Sequence, residues 1–79
     1  MDVSLVIVSD DNDWEGLYIN GIIVSEAHRL TSSDILFYLK GHTLVDYSIK
    51  VCDTEWFEEQ SNFPRRLSEV KIKETIEKG

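Results

Sequence analysis

Apolar positions run almost without a break from Val3 to Val8, then stop at Ser9-Asp10-Asp11-Asn12-Asp13. A short β-branched run bounded by a polar cluster predicts a strand, and its continuity predicts a strand covered on both faces, hence central in a sheet. The polar cluster is the turn that follows. Next come Trp14 to Ile19, the dipeptide Asn20-Gly21, and Ile22 to Ala27. Asn-Gly between apolar segments is the strongest short-range hairpin signal, because a type I′ turn needs positive φ at both central residues. An unbroken ladder from that turn sets Ile19 opposite Ile22, Leu17 opposite Val24 and Glu15 opposite Glu26. Trp14, Gly16, Tyr18, Ile23, Ser25 and Ala27 then share the other face.

Thr31 followed three residues later by Asp34 resembles a capping box with Asp in place of Glu, and predicts a helix over about Ser32–Lys40. Ile35, Leu36 and Leu39 form its apolar stripe, and Gly41 stops it. Leu44 to Cys52 alternates, with Val45, Tyr47, Ile49 and Val51 against Asp46, Ser48 and Lys50, which predicts a half-buried strand with one wet face. Asp53 caps a second short helix running through about Ser61 and anchored by Trp56 and Phe57, and Pro64 forces Phe63 out of the helical region. A last short strand is expected over Leu67–Ile72, with residues 73–79 as a frayed tail or short helix. The order β-β-β-α-β-α-(β) defines a small two-layer α+β domain with a mostly antiparallel sheet and helices on one face.

Seventy-nine residues make one domain, 1–79, with no repeat, linker or low-complexity segment. At that length only about 60% of the unfolded surface can be buried, which favours a binding module over an enzyme with a deep cleft. The single cysteine, Cys52, excludes an intrachain disulfide and suits a reducing cytoplasm. The start Met1-Asp2 and the short apolar run after it lack the form of a signal peptide, and no stretch reaches the ~20 apolar residues of a membrane span. The net charge is −7, carried as −9 by residues 1–60 and +2 by residues 61–79. So acidic a body repels phosphates and anionic lipid, and favours a basic protein partner over nucleic acid or membrane.

Trp14-Glu15-Gly16-Leu17-Tyr18, then Asn20-Gly21, then Glu26 and His28 resemble a hairpin pattern of small bacteriophage and bacterial open reading frames, roughly W-E-G-L-Y-x-[ND]-G. Trp56, Phe63-Pro64, Leu67 and Val70 extend the resemblance to about two-thirds of the chain. It implies a phage or prokaryotic accessory protein and carries no catalytic residue with it. Phage accessory proteins are often small, acidic inhibitors of host enzymes.

The residues that can carry function are few. Asp10 to Gly16 invites a calcium-loop reading, but the bidentate Glu position falls on Ile22, so a polar Asx turn is the plainer expectation. Glu15 opposite Glu26 places like charges across a ladder, which an exposed edge, Arg29 folded between them, or a cation or basic partner would relieve. His28, His42 and Cys52 have no zinc spacing, no glycine-rich phosphate loop exists, and neither a cofactor nor a catalytic set is expected. Trp14, Tyr18 and Ile23 form either a core layer under the C-terminal segment or an open aromatic anchor patch. Arg65-Arg66 either neutralise Glu55, Glu58 and Glu59 or contact phosphate. The leading expectation is a protein-binding module that inhibits a host nucleic-acid or defence enzyme. Its surface would combine Asp10, Asp11, Asp13, Glu15 and Glu26 with Trp14, Tyr18 and Ile23. Self-association into a scaffold through the Trp14/Tyr18 face is the alternative, and a metal-dependent module is the remote one.

Overall fold

The computed structural model describes residues 2–60 and 62–78. In chain order these form β1 (Asp2–Ser9), β2 (Glu15–Ile19), β3 (Ile22–Ala27), α1 (Ser32–Leu39), β4 (Thr43–Cys52), α2 (Thr54–Glu58), a 3-10 turn (Leu67–Glu69) and β5 (Ile72–Lys78). The strands make one sheet in the order β3-β2-β1-β4-β5. All neighbours are antiparallel except β1 and β4, which run parallel and are joined through the hairpin and the α1 crossover. The fold is therefore α+β with a mixed, mostly antiparallel sheet, and the continuous apolar run of β1 occupies the centre.

The Asn20-Gly21 turn forms as its residue types require, with φ of 52° and 83°. Asn20 also ties the turn to the central strand: its Oδ1 accepts from the Ser4 N–H and its own N–H donates to the Ser4 carbonyl. The ladder beyond the turn differs from the expected register. Ile19 faces Ile22, but Tyr18 then faces Ile23 and Leu17 faces Ser25, leaving Val24 as an extra residue. This bulge sets Glu15 opposite Ala27 and Glu26 opposite Gly16, so the expected Glu15/Glu26 repulsion does not arise. Glu26 moves instead to the face that carries Trp14 and Tyr18.

Val6, Val8, Tyr18 and Cys52 share that face, and Phe63 and Val70 pack onto them, with Trp14, Ile23, Trp56, Phe57, Leu67 and Ile72 around the rim. Of the two alternatives for Trp14, Tyr18 and Ile23, this is the core layer under the C-terminal segment. Tyr18 is fully buried, and its hydroxyl donates to the Pro64 carbonyl. The covering strap is stitched to the hairpin by Ile23 N–H to Arg65 carbonyl and Leu67 N–H to Gly21 carbonyl, 2.9 and 2.8 Å. On the opposite face Val3, Leu5, Leu17 and Val51 are buried as well. Helix α1 begins with the capping box read from Thr31 and Asp34.

Three boundaries depart from expectation. The segment after Leu67 is a 3-10 turn rather than a strand, because the strap must bend away from β3 toward β5. Residues 72–78 form a strand rather than a tail: β4 offers them an open edge, and bulges at Lys73 and Ile76 accommodate a sequence without strict alternation. Helix α2 ends at Glu58, and the expected end near Ser61 lies outside the described residues.

Two glycines have opposite reasons for being glycine. A Cβ at Gly16 would lie 2.7 Å from the Phe63 ring, whereas at Gly21 it would meet nothing within 4 Å but would sit at a φ of 83°. Gly16→Ala is expected to cost about 1–3 kcal/mol by overpacking, and Gly21→Ala about 1–2 kcal/mol by backbone strain. Urea unfolding in a Phe63→Leu background separates them. The smaller side chain relieves the cost at Gly16 and leaves that at Gly21 unchanged.

Candidate functional site

Strands β1 and β4 run parallel and both terminate at one end of the sheet, where β2 begins and β3 ends. The Asp10–Asp13 loop, His28, Arg29, Asp53 and the start of α2 therefore gather there. The loop is organised by one carboxylate. Asp10 is 6% exposed, and its Oδ1 accepts from the N–H groups of Asn12, Asp13 and Trp14 at 2.9, 3.1 and 3.0 Å. Its backbone N–H donates to the Trp14 carbonyl, and its carbonyl accepts from the Thr54 hydroxyl, which joins the loop to α2. The Ser9 hydroxyl accepts from Asp11 N–H, and Asp11 takes a φ of 66°. This is the Asx-turn arrangement, with Asp10 as the residue whose carboxylate oxygen accepts from the backbone donors. Among the described residues no group of three or more His, Cys, Asp or Glu side chains is placed to hold a metal.

The eight residues expected to form a partner surface separate into two sets. Tyr18 is core, Trp14 and Ile23 are half-buried at its rim, and Asp10 is a buried loop organiser. Glu26 Oε1 accepts from Trp14 Nε1 at 2.9 Å and Phe63 N–H at 3.2 Å, so it fixes the strap to the sheet. Glu15 Oε1 accepts from Leu30 N–H at 2.7 Å on the other face. Only Asp11 and Asp13 stand exposed. Of the two alternatives for the aromatic residues, the structure has the core layer under the C-terminal segment: Phe63 packs on that face and Pro64 accepts from the Tyr18 hydroxyl. Arg65 and Arg66 are exposed and serve through their backbones, Arg66 bridging Ile22, with no ion pair to α2 among the described residues.

Sequence reasoning missed a cavity of about 230 Å³ beside the loop, lined by Ser9, Asp13, Trp14, Glu15, His28 and Arg29. His28 stacks edge-on against Trp14 with ring centroids 4.9 Å apart, and its Nδ1 lies 3.5 Å from Asp13 Oδ2. Both partners of that pair are more than two-thirds exposed, so it orients the side chains without adding much stability. An unbroken ladder would set Trp14 opposite Ala27, so this neighbourhood appears only once the bulge is in place. With Glu15 opposite Ala27, one further step along the ladder brings Trp14 to His28.

The buried front face also shifts two ionisable groups. Burial, helped by the Asp10 carboxylate, pushes the Cys52 thiol up to about 11. Burial, with Glu26 nearby, raises the Tyr18 phenol well above its usual range. Neither is set up as a nucleophile or base near neutrality.

Comparison of the chain with protein-family models, with curated proteins and with solved structures yields no match. What the geometry defines is a small α+β domain with a preorganised acidic loop beside a cavity. No helix among the described residues is long and apolar enough to cross a membrane.

Two measurements check this site. Asp10→Ala is expected to lower stability by about 1–3 kcal/mol, since it strands three backbone donors, while Asp10→Asn, which keeps Oδ1, should lose less. The raised Cys52 and Tyr18 pKa values give a pH signature. The unfolded chain releases these protons first, so the contribution of these two groups to stability is constant below about pH 9 and falls as pH rises toward 11. Thermal melts of wild type against Cys52→Ala and Tyr18→Phe should show a shallower alkaline decline in each variant.

Proposed function

We propose that the protein is a small binding module that docks against a basic surface of a protein partner through its acidic end. The observation that carries this reading is the Asp10–Asp13 loop. Asp10 turns its carboxylate inward and holds the backbone, which leaves Asp11 and Asp13 projecting from a loop that needs no ordering on binding. Glu55, exposed in the first turn of α2 and one residue beyond the Thr54 contact to Asp10, extends the same acidic surface. The cavity beside it, where Asp13, Trp14 and Glu15 meet His28 and Arg29, adds a recess of mixed charge next to that surface.

The net charge of −7 supports long-range attraction to such a partner. The resemblance of the hairpin to phage open reading frames supports the sharper form: an accessory protein that sets carboxylates where a host nucleic-acid or defence enzyme would hold phosphates. In this reading Asp11 and Asp13 take the role first assigned to a wider set, and Glu15 and Glu26 act as internal acceptors. Binding is non-catalytic and needs no cofactor.

The test is a native pull-down from the source cell followed by titration of the recovered partner. Affinity should fall at least about tenfold between low and physiological salt. The Asp11→Asn/Asp13→Asn double variant should weaken binding by about 1–2 kcal/mol with an unchanged melting temperature. A partner held equally well by the double variant at high salt would rule the acidic end out as the docking surface.

A further inference from the structure

Asparagine followed by glycine has a chemical reactivity besides its turn preference. The glycine amide nitrogen can attack the asparagine side-chain carbonyl, because no β-carbon crowds the ring that forms. The chain holds three asparagines, Asn12, Asn20 and Asn62, and all three are exposed. What separates them is the amide that follows each. The Asp13 N–H donates to Asp10 Oδ1 at 3.1 Å, and the Phe63 N–H donates to Glu26 Oε1 at 3.2 Å. At those two sites the attacking nitrogen is committed to a carboxylate. The Gly21 N–H, by contrast, has no backbone acceptor among the described residues. Asn20 Oδ1 accepts from Ser4 N–H at 2.9 Å, which polarises the same carbonyl that ring closure attacks. A Cβ at Gly21 would meet nothing within 4 Å, so the space on that side of the turn is free for water.

We infer that Asn20 is a site of spontaneous covalent modification in the folded protein. The Gly21 nitrogen gives up its proton to hydroxide and bonds to Asn20 Cγ, the Cγ–Nδ2 bond breaks, and ammonia leaves after taking a proton from water. A cyclic imide results. Water then adds to one of its two carbonyls, and the ring opens to aspartate or to isoaspartate at position 20 without any change of oxidation state. The two products act differently on the fold. Aspartate keeps the acceptor for Ser4 N–H and makes it charged, which strengthens that bond. Isoaspartate routes the main chain through the former side chain, so the oxygen that held Ser4 becomes a peptide carbonyl and the loop gains a methylene. A two-residue type I′ turn has no room for that extra atom. The Gly21 carbonyl, which accepts from Leu67 N–H at 2.8 Å, moves with it. Reaction at one exposed residue thereby loosens both the tie of the hairpin to β1 and the tie of the strap to the hairpin.

The experiment incubates the full chain in mildly alkaline buffer, folded and in urea, and follows each asparagine by mass spectrometry of proteolytic fragments. In the folded sample Asn20 should gain the mass of an amide-to-acid conversion while Asn12 and Asn62 stay unchanged. The rate should rise with pH, because the deprotonated amide is the attacking species. It should lie within about tenfold of the rate in urea, since an exposed turn opens at little cost. The isoaspartate fraction, separated by chromatography, should exchange the Ser4 and Leu67 amides at least about tenfold faster than the Asn20→Asp variant does. Should that variant fail to fold, unmodified wild type is the reference. Protection of Asn20 by more than about tenfold in the folded chain overturns the inference. So does conversion of Asn12 or Asn62 as fast as Asn20 in the folded sample. An isoaspartate form whose Ser4 and Leu67 amides stay as protected as in the reference overturns the loosening.

Discussion

The contact between Phe63 and the bare backbone of Gly16 is the constraint on which the rest of this structure depends. Without a Cβ at Gly16, an aromatic ring can lie directly on the sheet, and the chain between α2 and β5 can cross it as a close-fitting strap. Once Phe63 is seated, Pro64 reaches the Tyr18 hydroxyl, Arg65 to Leu67 pair with the start of β3, and Val70 closes over the same core. A chain this short cannot afford an uncovered apolar sheet face, and the strap turns an aromatic surface into its main core.

The bulge at Val24 serves the same purpose. By shifting the register one residue, it moves Glu26 from the side of Leu17 to the side of Trp14. There its carboxylate accepts from the indole and from the Phe63 backbone. A buried-side carboxylate with two donors at the strap's entry fixes where the strap crosses, and charge-assisted bonds of this kind are stronger than neutral ones. Glu15 and Asp10 act alike, each accepting backbone N–H groups at the acidic end. A substantial part of what reads as acidic surface in the sequence is internal scaffolding.

This division of labour separates the molecule into two poles. At one, carboxylates that are already committed hold a rigid loop from which Asp11 and Asp13 project. At the other, Leu44, Val45 and Tyr47 are exposed at the start of β4. The parallel β1–β4 pair at the centre of the sheet is the spacer between them.

Much of this was legible locally. The central strand, the Asn-Gly turn and the Thr31 and Asp53 caps each rest on a few adjacent residues, and the α+β class follows from the element order. The half-wet alternation expected of β4 does not hold, because the ladder with β1 skips Val45, which stays exposed with Tyr47 while Ser48 is buried. The identity of the aromatic face did not follow, because whether Trp14, Tyr18 and Ile23 are open or covered depends on a strap more than forty residues away. The register of β3 could not be read either: a bulge is favoured by where Glu26 finds its donors, and those donors come from Phe63 and Trp14 in the folded molecule. Strand β5 was hidden for a related reason, since a charged segment with two bulges becomes a strand only because β4 offers it an edge. Local backbone preference and periodicity reside in the sequence, whereas the partner of each carboxylate and each strand edge exists only once distant segments meet.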